Sequence, residues 1–247
     1  MEKVKTVEEG VCRLLTLHER VVPDFHIEYG VPGEYTDILC YDGKKIPLFY
    51  NRFDRVIKSI SEYGSETEKN SALNVYSYTG NEIPLDTLIY RETEIAEFIL
   101  HSETEEVTAF LNGDSVNLIA KMKNGTCANM SLATTMAPGS INQCEHRLIT
   151  SKGMSSDRVF DMKTVRHDIY VFKNSSANAE VYDEDEYYLY GLDSEDTVKA
   201  LTVHGILIGE LPFDDNAETD KRHKKFIKAV HLSSDRCETV RIGEVDE

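Results

Sequence analysis

Val7, Val11, Leu14, Leu15 and Leu17 recur at the spacing of one helical face, and Thr6 with Glu9 forms a capping box ahead of them, which predicts an amphipathic helix over Thr6–Glu19. From Val21 to Gly43 this periodicity is lost among Pro, Gly, Asp and Tyr. That stretch predicts an irregular excursion with short strands around Phe25–Tyr29 and Thr36–Tyr41. Ile46–Tyr50 reads as a short buried strand, and Asp54–Tyr63 as a second helix closed by Gly64 as its C-cap. Ser71–Tyr78 alternates through Leu73, Val75 and Ser77, the pattern of a strand with one buried face. Thr87–Leu100 is a third helix, with Leu88, Ile95, Phe98 and Ile99 turned to the core.

Beyond Glu106 the pattern becomes that of a sheet. Val107–Leu111, Ser115–Met122, Thr126–Thr134 and His146–Thr150 read as strands, and Asn112-Gly113-Asp114 and Asn124-Gly125 carry hairpin chemistry between them. Val159–Phe160, Ile169–Phe172 and Tyr187–Tyr190 continue the series. Asp196–Gly209 is ambiguous between helix and strand, and a last helix runs from about Ala217 to Leu232 behind a capping box of Asp215 and Glu218. The order predicts an α/β (α+β) fold: one large, open, mixed or antiparallel sheet with helices on one face.

Charge and cysteine usage narrow the function. The net charge of −17 over 247 residues repels phosphate backbones and anionic lipid, so no nucleic-acid and no membrane partner is expected. Five scattered cysteines, none in C-x-x-C, read as reduced thiols of a cytoplasmic protein, and the sequons at Asn124, Asn129 and Asn174 read as chance matches. The acidic run Asp183–Glu186 is a solvated loop.

Neither G-x-G-x-x-G nor G-x-x-x-x-G-K-[ST] occurs in the sequence, and Gly30-x-x-Gly33 lies in a loop with Pro32. A pyrophosphate needs glycines for close backbone approach at a helix N-terminus, so no cofactor-binding residues are expected in this chain alone. Cys144 and His146 stand two apart on a predicted strand and point the same way, but one such pair is too few ligands, so no metal is expected either.

Four segments in order carry a family resemblance. Glu2-Lys3 precedes Thr6-Val7-Glu8-Glu9 and Leu14-Leu15. Lys45 through Asp54 reads K-I-P-L-F-Y-N-R-F-D before a helix. Arg91-Glu92-Thr93-Glu94 opens I-A-E-F-I-L, with Val107-Thr108-Ala109 after it. Asp220 through Val240 reads D-K-R-H-K-K-F-I-K-A-V…E-T-V. Together they resemble the Gfo/Idh/MocA family of sugar and polyol dehydrogenases, and Asn124 to Gly153 resembles the strands of that family's C-terminal sheet.

The resemblance implies a remnant of a Rossmann-like dinucleotide-binding domain at residues 1–60, interrupted by an insertion at about 20–42. A C-terminal substrate-binding and dimerisation domain follows at 61–247. Lys3 matches the lysine of the family's E-K-P, with Val4 in place of the proline. Arg91 falls where members carry the general-base histidine of H-x-x-D, and Glu94 where they carry its aspartate. An arginine stays protonated and takes no proton near neutral pH.

The expected catalytic positions are therefore Lys3, Arg91 and Glu94, and the expected substrate-binding positions Asn51, Arg52, Tyr90 and His146. NAD(P) is expected only where a nucleotide-binding half is supplied. The expected partners are a small sugar-like ligand, a second copy of the chain through the open sheet, and a full-length relative. Two readings remain: the substrate-binding part of an oxidoreductase, or a catalytically inactive sugar-binding regulator or scaffold subunit.

Overall fold

The computed structural model describes residues 5–65, 70–80, 82–137, 142–157, 168–173, 176–181 and 191–246. Lys3, Val159–Phe160, Asp183–Glu186 and Tyr187–Tyr190 lie outside them. The chain divides into two compact units, one of Met1–Asp54 with Asp183–Asp220 and one of Arg55–Tyr182 with Lys221–Glu247.

In the first unit, helix α1 (Val7–Leu17) starts as its sequence directs: the Thr6 hydroxyl accepts from Glu9 N at 3.2 Å. The Glu9 carboxylate reaches past the N-cap to Lys5 N, at 2.8 Å, so the box is shifted by one residue. The excursion expected over Val21–Gly43 is more regular than its composition suggests. Strands β1 (Phe25–Glu28), β2 (Ile38–Tyr41) and β3 (Lys44–Pro47) form an antiparallel sheet, because Ile27, Leu39 and Ile46 supply its buried face. A 3-10 turn over Tyr50–Phe53 follows. The ambiguous segment is helix α4 (Ser194–Leu207), started by Asp193, whose carboxylate accepts from Asp196 N. Val7, Val11 and Leu15 of α1 meet Ala200, Val203 and Ile206 of α4 in one core.

The second unit is built on a nine-stranded mixed sheet. Its strands are β4 (Asn70–Gly80), β5 (Thr104–Asn112), β6 (Ser115–Met122), β7 (Cys127–Met136), β8 (Gln143–Thr150), β9 (Gly153–Ser156), β10 (Asp168–Lys173), β11 (Ser176–Val181) and β12 (Val240–Arg241). Their order is β11-β10-β9-β8-β4-β7-β6-β5-β12, with β4 parallel to β7 and antiparallel to β8. Both predicted hairpins form, with Gly113 at φ +58° and Gly125 at φ +83°.

Helices α2 (Arg55–Ser65) and α3 (Leu85–Leu100) pack on the sheet. Leu73, Val75, Val116, Leu118, Ala128, Met130, Leu132 and Leu148 fill its inner face. Gly64 does not cap α2 as expected; it is a buried residue within the helix and is not in the positive-φ region. Helix α5 (Asn216–Arg236) ends against the edge strand β5. β12 pairs with β5 only at Glu106 and Val107. Beyond that, Ser233 and Ser234 take up the β5 amides of Ala109 and Leu111, at 3.0 and 2.9 Å. These hydroxyls blunt an otherwise open edge.

Candidate functional site

Helix α3 departs from simple amphipathicity, because Glu92, Glu94 and Glu97 are all buried along with its apolar residues, whereas Phe98 is only half-buried. A buried carboxylate must be paired or it destabilises the fold by several kcal/mol. The pairing of Glu92 makes the candidate site.

Glu92 is 0% exposed in its side chain, and its two oxygens face opposite cations. Oε1 accepts from Arg91 Nη2 at 2.9 Å and from Nε at 3.1 Å. Oε2 lies 2.9 Å from Nε2 of His146 on β8. The other ring nitrogen, Nδ1, lies 2.7 Å from Oδ2 of Asp157, just after β9, and Oδ1 of that carboxylate takes the His146 backbone amide, also at 2.7 Å. A neutral imidazole carries one N–H and one lone pair, so it cannot donate to two carboxylates. Both ring nitrogens facing carboxylates define an imidazolium. Arg91, Glu92, His146 and Asp157 thus form a chain of alternating charge across the inner face of the sheet.

The titration behaviour follows. Burial pushes the Glu92 carboxyl up, but the Arg91 guanidinium and the His146 hydrogen bond outweigh it and hold the pKa at about 2. Burial pushes His146 down, and Cys144 and the Asp157 carboxylate more than reverse this, raising it well above the usual histidine value. Cys144, exposed at the start of β8, brings its Sγ to 3.8 Å from both ring nitrogens. Arg91 also donates to Ser77 Oγ of β4 at 3.3 Å, and its side chain is 34% exposed.

Glu97 anchors a second cluster. Its Oε1 accepts from Thr104 N at 2.8 Å, and its Oε2 from Arg222 Nη2 at 2.6 Å and from His223 Nε2 at 3.0 Å. Burial raises the Glu97 carboxyl, and His223 and Arg222 overcome this and hold it at about 2.

Of the residues singled out in the sequence, the structure joins Arg91 and His146, through Glu92. Tyr90 is buried and packs edge-on to His223, with ring centroids 5.3 Å apart, so it belongs with the Glu97 cluster. Glu94 is 1% exposed. Asn51 and Arg52 lie in the 3-10 turn of the first unit, where the Arg52 guanidinium sits 4.7 Å from the Phe49 ring centroid. Glu92 and Asp157 were missed. A signal for Glu92 existed: it sits among the apolar positions of α3, where an unpaired carboxylate is not tolerated.

No family model matches the sequence, and no curated protein matches it. Solved structures do. Levoglucosan dehydrogenase in complex with NADH and levoglucosan is 11% identical with a TM-score of 0.64, over 79% of this chain and 65% of that one. An oxidoreductase from Agrobacterium radiobacter in complex with NAD+, L-tartaric acid and magnesium is 10% identical with a TM-score of 0.63, over 97% of this chain and 71% of that one. An oxidoreductase domain protein from Kribbella flavida is 14% identical with a TM-score of 0.61, over 78% of this chain and 64% of that one. The chain therefore has the mixed α/β fold of these oxidoreductases. It spans under two thirds of the length of the levoglucosan dehydrogenase and of the Kribbella flavida protein. Among the described residues no helix is long and apolar enough to cross a membrane.

Proposed function

We propose that this chain is the sheet-bearing, substrate-binding part of a Gfo/Idh/MocA-like oxidoreductase and that its second unit binds a sugar or polyol. The observation that carries the reading is the state of the position where the family resemblance places a general base. It holds Arg91, whose guanidinium is tied to Glu92, and the neighbouring histidine is itself held as a cation. A partly exposed guanidinium beside a serine hydroxyl donates hydrogen bonds to hydroxyl or carboxylate oxygens and takes no proton. Binding is the chemistry this arrangement supports, and hydride transfer from an alcohol, which needs a proton acceptor, is not.

NAD(P) chemistry in this reading belongs to a nucleotide-binding half supplied by another segment or another chain. The outer face of the sheet supports the expected homodimer: Phe110, Ile119, Tyr76 and Ile149 are 60, 52, 40 and 37% exposed on strands β5, β6, β4 and β8.

The test is thermal unfolding of the purified chain against a panel of sugars, polyols and aldonic acids at millimolar concentration. A rise of several degrees with at least one class, lost in Arg91→Met, is the expected result. A flat response across the panel in a well-folded protein overturns the reading.

A further inference from the structure

His146 and Cys144 alone are too few to hold a metal ion, but the fold brings them a third donor from a helix 54 residues earlier in sequence. Glu92 Oε2, Cys144 Sγ and His146 Nε2 lie within 4.8 Å of one another. We propose that these three side chains form a site for a borderline-soft divalent cation of the zinc class.

Two features of the geometry support it. The first is spacing. Tetrahedral zinc, with Zn–N of about 2.0–2.1 Å and Zn–S of about 2.3 Å, sets an N···S edge of about 3.6 Å and an N···O edge near 3.4 Å. The corresponding separations here are 3.8 and 2.9 Å, each within about 0.5 Å of that geometry. The second is the outer partner. Asp157 Oδ2 lies 2.7 Å from Nδ1, and Nε2 faces Glu92, so Nε2 is the ligand atom of a carboxylate–histidine–metal arrangement.

Cys144 is exposed while His146 and Glu92 are buried, so an ion has an entry side. Imidazole and thiolate donors select the zinc class over magnesium and calcium, which favour oxygen. A comparable trio, His26, Glu28 and Cys40 in the first unit, is weaker, because Lys45 Nζ already occupies Glu28, at 2.8 and 3.1 Å.

The experiment uses the full chain, stripped with EDTA and kept reduced. Cobalt(II) is titrated in at pH 7.5 and followed for thiolate charge-transfer and tetrahedral d–d absorption. Zinc is then tested for protection of each cysteine from iodoacetamide, read by peptide mass spectrometry. The expected results are one equivalent of cobalt with a charge-transfer band, and at least tenfold slower alkylation of Cys144 with Cys12, Cys40, Cys127 and Cys237 unchanged. Cys144→Ser, at an exposed position, keeps the fold and loses the band. Asp157→Asn weakens binding about 10–100-fold. Absence of the band in the wild type, protection of Cys40 in place of Cys144, or undiminished zinc affinity in Cys144→Ser overturns the proposal.

Discussion

His146 Nε2 and Glu92 Oε2 lie 2.9 Å apart and tie strand β8 to helix α3 through a buried ion pair. Removing one partner of such a pair leaves an uncompensated buried charge, at a cost of about 3–5 kcal/mol. Glu92→Gln keeps the shape and removes the carboxylate charge from between Arg91 and His146. The expected outcome is a loss of about 3 kcal/mol in urea denaturation with an unchanged slope, whereas a loss under 1 kcal/mol would mean that the pair adds nothing to stability.

Stability should fall toward both ends of the pH scale. Glu92 and Glu97 are depressed from 4.5 to about 2 in the folded chain. Their contribution is complete above pH 4.5 and is lost as pH falls through about 2. The shifts correspond to roughly 3 kcal/mol for each carboxylate. His146 is raised, so its contribution is complete below its unfolded value of about 6.5 and is lost as pH rises through its folded value. Thermal melts from pH 2 to 10 should trace this profile. In Glu97→Gln the acid limb should become shallower, while the alkaline limb set by His146 stays.

The β5–β6 hairpin depends on the backbone at Gly113, with φ at +58°, and a Cβ built there meets nothing within 4 Å. Conformation, not space, is therefore the cost of a side chain. Gly113→Ala should lose about 1–2 kcal/mol, and Gly113→Asn less, because asparagine tolerates this region. Equal losses in the two variants would point to a packing role instead.

The exposed outer face of the sheet carries the dimer proposal. Ile119, 52% exposed, pairs across to Thr108 on β5 and Asn129 on β7, so a charge there stands in the middle of the surface. Sedimentation should show a dimer at micromolar concentration for the wild type and a monomer for Ile119→Arg, with identical circular dichroism. A monomeric wild type at those concentrations removes the homodimer from the account.

Much of the fold could be read from periodicity. The alternation in Leu73–Val75–Ser77 and the glycine turns at Gly113 and Gly125 are local signals, and the large sheet follows from them. The three-stranded sheet over Phe25–Pro47 was harder to read, because its strands are four residues long and each buries only one or two side chains. Nor does local sequence show that residues 183–220 belong with the first unit. The site was half visible. Arg91 stood out as a replacement within a family pattern and Cys144–His146 as a pair, but Glu92 and Asp157 acquire meaning only when β8, β9 and α3 come together. Buried charge pairing is a tertiary relationship with no short-range signature.

The claim on which the functional reading turns is that His146 is a locked cation and not a proton acceptor. Nitrogen-15 spectra of the imidazole, recorded at pH 8 in the presence of EDTA on histidine-labelled protein and assigned by His146→Gln, report the charge of this ring. Both ring nitrogens should resonate in the protonated range, coupled to slowly exchanging protons. One nitrogen at the unprotonated shift would make His146 a neutral imidazole with a free lone pair, and the cluster would then hold the base that this account denies it.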